Sequence, residues 1–152
     1  MADIRQNPYG AFNFQVSLED ANDAENELIG GFSDVSGLGR EVNYSEYRNG
    51  NEPFNTVRKV ANTFKQEDVT LKRGLVGSTK LFLWLKAVGQ DGQYLPKQVS
   101  ITMLDETRKA VATFRLRNAQ PKKWVGPTLA AKGGGEVAME ELHLAHEGIT
   151  YE

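Results

Sequence analysis

Residues 30–50 read GGFSDVSGLGREVNYSEYRNG. A glycine-punctuated run, Phe32-Ser33-Asp34-Val35-Ser36-Gly37-Leu38, feeds an alternating strand, Glu41-Val42-Asn43-Tyr44-Ser45-Glu46-Tyr47. The strand empties into a polar loop that opens Arg48-Asn49-Gly50-Asn51. Alternation of this kind predicts a sheet with one face on a core and the other polar. Gly30, Gly31, Gly37 and Gly39 mark turns or bulges where a long strand bends.

The rest of the chain repeats this pattern. In Ala11–Leu18, Phe12, Phe14, Val16 and Leu18 fall on one face, and Pro8 and Gly10 set the start. Leu28–Gly31 re-enters the sheet, and Gln66–Gly74 carries Val69 and Leu71 on its apolar face. A helical period follows. Ser78 or Thr79 caps it, Leu81, Trp84, Leu85 and Val88 form its stripe, and Gly89 stands at the position of a C-terminal cap glycine. Val99, Ile101 and Met103, a turn at Asp105–Arg108, and Ala110, Ala112, Phe114 and Leu116 give a hairpin. Pro121–Pro127 reads as irregular and Gly133–Gly135 as a flexible turn. The last strand, Glu136–His146, faces Ala138, Leu142 and Leu144 one way, with Glu140 breaking that face at a bulge or an exposed end.

These elements make a mainly β protein with one α-helix, an antiparallel barrel or sandwich of six or seven strands. Such a strand count leaves edges open, and open edges pair with other chains. Arg48–Phe64 has no durable period and is a long arm loop, functional or disordered by its length. Phe54, Val57, Val60 and Phe64 within it are more apolar than a disordered linker carries. The arm either docks on a neighbouring subunit or folds over its own barrel.

A chain of 152 residues is one domain by length and buries roughly 70% of its unfolded surface. Hydrophobic content of 39% and charged content of 25% are those of a globular protein. No apolar run approaches the roughly 20 residues of a membrane-spanning helix, and Met1–Gln6 does not open a signal peptide. A cytoplasmic origin is the expectation. Cysteine is absent, which excludes disulfides, thiolate nucleophiles and cysteine metal sites. The net charge of −2 argues against a general nucleic-acid binder.

The charge is segregated. Glu19–Glu27 carries five acids and no base, Arg48–Lys65 four bases against one acid, and Arg108–Lys123 six bases and no acid. These blocks are solvated loops, or complementary patches that meet across a subunit boundary.

No arrangement in the sequence supports catalysis or a cofactor. His143 and His146 point to opposite faces of a strand, which does not bring them to one metal. Ser100 or Thr102 with Glu141 lacks the setting of a nucleophile and its base. Gly37-Leu38-Gly39-Arg40 lacks the third glycine of a dinucleotide fingerprint, and Gly133–Glu136 lacks the Lys-Ser/Thr of a phosphate loop. Lys122-Lys123-Trp124 is a single basic–aromatic cluster, more typical of a tryptophan at a barrel mouth than of a base-reading site. The expectation is no enzyme, no cofactor and no metal.

Six segments, in order, resemble the tail tube (inner tube) proteins of contractile phage tails and phage-like contractile injection systems. They are Tyr9–Val16 (opening F-x-F-x-V), Gly31–Leu38 with Glu46–Gly50, Val69–Gly74 (T-L-K-R-G), Leu83-Trp84, Ala119–Lys123 (A-x-P-x-K) and Glu141–Ile149. Asp20–Glu27 and Gln90–Leu95 look longer than in the simplest members, and Ile149 stands where leucine is usual. The resemblance implies a structural subunit that joins into hexameric rings, whose sheets merge into one barrel and whose rings stack as a hollow tube inside a sheath. It implies sheath, baseplate or hub, and terminal cap proteins as partners, effector protein or DNA as cargo, and no direct membrane anchor. By the same carry-over, Arg48–Phe64 is the inter-ring arm, with Arg48, Asn51, Phe54, Val57, Arg58 and Val60 at the interface. Phage and injection-system tubes share these motifs. A related ring-forming secretion tube is the nearest alternative, and a monomeric barrel holding a small apolar ligand is an alternative from another class.

Overall fold

The computed structural model describes residues 6–20, 26–28, 31–75, 77, 79–92, 94–133 and 136–152, with backbone alone for 19–20 and 26–28. The acidic side chains of Glu19–Glu27, Gly30, the Ser78 cap and Gly134–Gly135 lie outside the described residues. Ten strands and one helix are present among the described residues: β1 (Phe14–Asp20), β2 (Asn26–Leu28), β3 (Asp34–Ser36), β4 (Arg40–Tyr47), β5 (Arg58–Gln66), β6 (Val69–Gly74), α1 (Lys80–Gly89), β7 (Lys97–Leu104), β8 (Ala110–Val125), β9 (Met139–Ala145) and β10 (Gly148–Tyr151). The mainly β, one-helix expectation holds, with more strands than alternation reveals.

An eight-stranded antiparallel sheet runs β2-β1-β7-β8-β9-β6-β3, with β10 also on β8. Strand β8 is the corner. Ala110–Ala119 pairs with β7, and Gln120–Val125 pairs with β9. Asn118, at φ 48°, sits where β8 changes partner, and asparagine tolerates that left-handed backbone. A register shift between Pro121 and Lys123 then carries a proline, which lacks a ladder donor, inside the strand. Pro121–Val125 is therefore strand, not the irregular segment that Pro121 and Gly126 predict. Val16, Leu18, Val99, Ile101 and Leu116 meet Val69, Leu71, Leu142 and Leu144 in one core.

The strand over Ala11–Leu18 starts later than alternation predicts. Its ladder with β7 begins at Phe14↔Met103, close to the end of β7 at Leu104. Phe12 therefore precedes the paired strand, lies against Gly10, and is 72% exposed. The helix also ends differently. Gly89 is its last helical residue, the Gln90 N–H bonds the Lys86 carbonyl, and the left-handed turn falls at Gly92 (φ 65°). Thr79 occupies the N-cap without a side-chain cap bond. Leu81 and Trp84 are buried, and Trp84 Nε1 donates to the Leu95 carbonyl at 2.9 Å.

Glu140 corrects the reading of the last strand. It is on the core face with Leu142 and Leu144, and it is 2% exposed. Its direct cross-strand partner on β6 is Arg73, 3% exposed, and the two side chains form an ion pair. Trp124 Nε1 donates to the other carboxylate oxygen at 3.1 Å, and the Phe32 ring lies 5.7 Å from the Arg73 guanidinium. A buried carboxylate is tolerated only when paired and hydrogen-bonded in this way.

Candidate functional site

Strands β4 and β5 form a separate two-stranded ribbon, and each packs chiefly against the other. Strand β5 occupies Arg58–Gln66, so the irregular arm loop read over Arg48–Phe64 is corrected: the loop is the tip 48–57, and the rest is strand. The period is hidden because every β5 residue but Gln66 is exposed. Alternation marks a strand when one face is buried, and this ribbon buries neither within the chain.

The register sorts the ribbon into two faces. Arg40↔Gln66, Val42↔Phe64, Ser45↔Val60 and Tyr47↔Arg58 share one face, and Glu41↔Lys65, Tyr44↔Ala61 and Glu46↔Lys59 the other. A shift between Val42 and Tyr44 keeps both faces in step around a bulge. The first face is the more apolar, with Val42, Tyr47, Val60 and Phe64. Arg40 lies 4.2 Å over the Phe64 ring. On the second face Lys59 pairs with Glu46 at 2.6 Å, which holds the Glu46 carboxyl below its ordinary range.

Arg48 locks the tip. Its Nε donates to the Phe54 carbonyl at 2.9 Å, and its Nη2 donates to the Glu52 carbonyl at 3.0 Å and to Asn55 Oδ1 at 3.4 Å. The Glu52 N–H closes a turn on the Asn49 carbonyl at 3.2 Å, Tyr47 Oη donates to Asn49 Oδ1, and Arg58 pairs with Glu52 at 3.1 Å. Asn51 is exposed in that turn. This scaffold displays Phe54, 74% exposed, with Val57 and Val60 beside it.

The structure thus brings Arg48, Asn51, Phe54, Val57 and Arg58 together at one end, and puts Val60 on the adjoining strand. The interface set expected from the resemblance omits Tyr44, Tyr47 and Phe64, exposed aromatics of the same ribbon, although Phe64 is among the apolar residues of the expected arm. Val60 and Phe64 share a face with the polar Asn62 between them, so no apolar period of two marks the strand. A two-stranded ribbon is marginal by itself in water, and clustered exposed aromatics mark interaction surfaces. Arg48→Ala is expected to raise amide exchange over residues 49–57 at least about tenfold. Exchange in β6, β8 and β9 should stay unchanged, as hydrogen–deuterium exchange with mass spectrometry would report.

The basic blocks are partly neutralised within the chain. Lys122 pairs with Asp68 at 2.6 Å and Arg115 with Glu152 at 3.6 Å. His143 Nδ1 lies 3.1 Å from Thr70 Oγ1, and His146 Nε2 lies 2.8 Å from the Glu67 carbonyl oxygen. Among the described residues no three His, Cys, Asp or Glu side chains group as a metal site, and no helix is long and apolar enough to cross a membrane. An apolar gap lined by Phe14, Val35, Leu38 and Met103 encloses about 220 Å³, below the roughly 300 Å³ at which small-molecule sites begin.

The fold has close relatives among solved structures. A chain in the cryo-EM structure of the anti-feeding prophage (AFP) baseplate, six-fold symmetrised, is 25% identical, with a TM-score of 0.85 over 97% of both chains. A chain of the extended sheath–tube complex of the PVC extracellular contractile injection system is 23% identical, with a TM-score of 0.81 over 97% of this chain and 93% of that one. Hcp1 from Flavobacterium johnsoniae shares the fold more distantly, at 13% identity and a TM-score of 0.54 over 90% and 94% of the two chains. No curated protein sequence matches the chain. Residues 10–150, ribbon and large sheet alike, match the family described as T4-like virus tail tube protein gp19, and the chain belongs to that family as a structural tube subunit.

Proposed function

We propose that copies of this chain join head to tail into hexameric rings, that the rings stack into a hollow inner tube, and that the β4–β5 ribbon is the arm that docks on neighbouring copies. The observation that carries this reading is the ribbon itself, whose tip is locked by Arg48 while its apolar side chains stay in water. A preorganised apolar arm loses little entropy on docking, because its conformation is already set. Head-to-tail contacts close into rings when the rotation allows, and permanent interfaces commonly bury more than about 2,000 Å².

The tube lies inside a contractile sheath, capped at one end and seated on a baseplate at the other, and passes effector protein or DNA when the sheath contracts. The subunit is made in the cytoplasm, acts in the assembled particle, and performs no catalysis. The likeness to chains from AFP and PVC particles supports this setting.

Phe54→Ala with Val57→Ala is the test of the arm. Both side chains are exposed, so the subunit should keep its fold, with stability within about 1 kcal/mol of the parent. Stacked tubes should disappear from electron micrographs. Tubes of normal length from the double variant would refute the arm assignment.

A further inference from the structure

We propose that Asn49 is a site of self-modification: its side chain cyclises onto the Gly50 main-chain nitrogen with loss of ammonia, and the product releases the tip of the arm in subunits left unassembled. The reaction needs an unencumbered main-chain N–H next in sequence, a free leaving amide, and a donor on the oxygen that takes up charge. The tip supplies all three. Asn49 is the one asparagine of the chain that a glycine follows. Gly50 is exposed, its N–H has no hydrogen-bond partner among the described residues, and it has no Cβ to crowd the attack. Tyr47 Oη donates to Asn49 Oδ1, where negative charge develops as the nitrogen adds, and a placed donor stabilises such charge. The leaving nitrogen, Asn49 Nδ2, has no partner among the described residues. In Asn43, Asn62 and Asn118, by contrast, Nδ2 is held by Thr63, Ser45 and Glu147, and the residues that follow, Tyr44, Thr63 and Ala119, each carry a Cβ.

Water is the only co-reactant. The Gly50 nitrogen loses its proton to solvent base and attacks Asn49 Cγ. The Cγ–Nδ2 bond breaks, a proton returns to the departing nitrogen, and ammonia leaves behind a cyclic imide. Water then opens one of the two imide carbonyls. One opening gives aspartate; the other gives iso-aspartate, whose main chain runs through Cβ and Cγ and is longer by one carbon. Either product sets a carboxylate beside Arg48, whose guanidinium donates to the neutral Phe54 and Glu52 carbonyls. A charged acceptor binds arginine more strongly than a neutral one, so Arg48 turns to it and lets the tip go. The longer main chain also breaks the turn in which the Asn49 carbonyl accepts from the Glu52 N–H at 3.2 Å. The chemistry stands on the geometry of the tip alone, and its effect on assembly rests on the arm reading above.

Peptide mass spectrometry of the purified subunit, held in mildly alkaline buffer, tests the site. Asn49 should become about one dalton heavier, amide to acid, at least about tenfold faster than Asn43, Asn55, Asn62 or Asn118. Tyr47→Phe should slow this at least about threefold in the native subunit and leave the rate in urea unchanged, which the Asn-Gly pair by itself would not produce. Gly50→Ala fits, since nothing lies within 4 Å of a Cβ there, and should slow conversion at least about tenfold in both states. Converted subunit should show at least about tenfold faster amide exchange over residues 49–57. Its tube yield should fall in step with conversion, while stored Gly50→Ala subunit keeps its yield. Equal conversion at Asn49 and Asn55, a native Tyr47→Phe rate equal to the parent's, or unchanged exchange after conversion would each overturn the inference. Tubes from the Phe54→Ala, Val57→Ala variant would instead remove the arm reading and leave the Asn49 chemistry in place.

Discussion

Glu140→Ala is expected to lower the unfolding free energy by about 3–5 kcal/mol, the usual loss when one member of a buried ion pair is removed. Arg73 is 3% exposed and would keep its charge in the core without the carboxylate that faces it. Trp124 Nε1 would lose its acceptor as well. Domains of this size are stable by only about 5–15 kcal/mol, so the variant should melt roughly 10 °C or more below the parent. Urea denaturation followed by circular dichroism measures the change directly. The paired replacement Arg73→Met with Glu140→Leu should be close to neutral, because desolvating two charges offsets most of their attraction. A large loss in the paired variant too would mean that the ion pair is itself a net source of stability. The pair also fixes register: Arg73 and Glu140 are directly opposed, so a one-residue slip of β6 on β9 would turn both charges away from each other.

Gly37→Ala is the second large effect, about 3 kcal/mol or more. Gly37 has a φ of 84°, and a Cβ there would stand 2.1 Å from the Asp68 carbonyl oxygen. The left-handed backbone alone costs an alanine about 1 kcal/mol. The clash adds more, because its partner is main chain and cannot rotate away. Relief requires β3 to withdraw from the Glu67–Asp68 turn, which joins the ribbon to β6. The ribbon's root therefore moves, and assembly should fail even at temperatures where the subunit remains folded. Gly31→Ala is the control, since nothing lies within 4 Å of a Cβ at that position. Comparable melting of the Gly37 and Gly31 variants would remove this account of the motif.

These two sites explain what the glycine-punctuated motif does. Phe32 covers Arg73 and Gly37 admits the Asp68 backbone, so Gly31–Leu38 staples the ribbon's root to the large sheet. The sequence marks turns there, but the surfaces those turns approach come from β6 and the turn before it, more than thirty residues on.

Strands with one face on the core were legible for a physical reason. Val16 and Leu18, Val69 and Leu71, and Val99 and Ile101 alternate because burial imposes a period of two. Where burial within the chain is missing, the period is missing too, and β5 reads as loop. Glu140 reads as a break because a charge on an apolar face looks like an interruption. Arg73, at the matching place beyond Val69 and Leu71, completes it, but only the register of β6 on β9 brings the two together. Phe54, Val57, Val60 and Phe64 mark an apolar arm in the sequence, and Arg48, Asn51 and Arg58 join it through the family resemblance. The arginine clamp is not legible there, because two of its three acceptors are main-chain carbonyls that carry no sequence signature.

Negative-stain electron microscopy of the purified subunit, with light scattering on the same sample, tests the central claim most directly. The account predicts hollow rings or stacked tubes, appearing by themselves or when baseplate proteins are supplied as a template. A uniform monomer at high concentration, unchanged when those proteins are present, would contradict it.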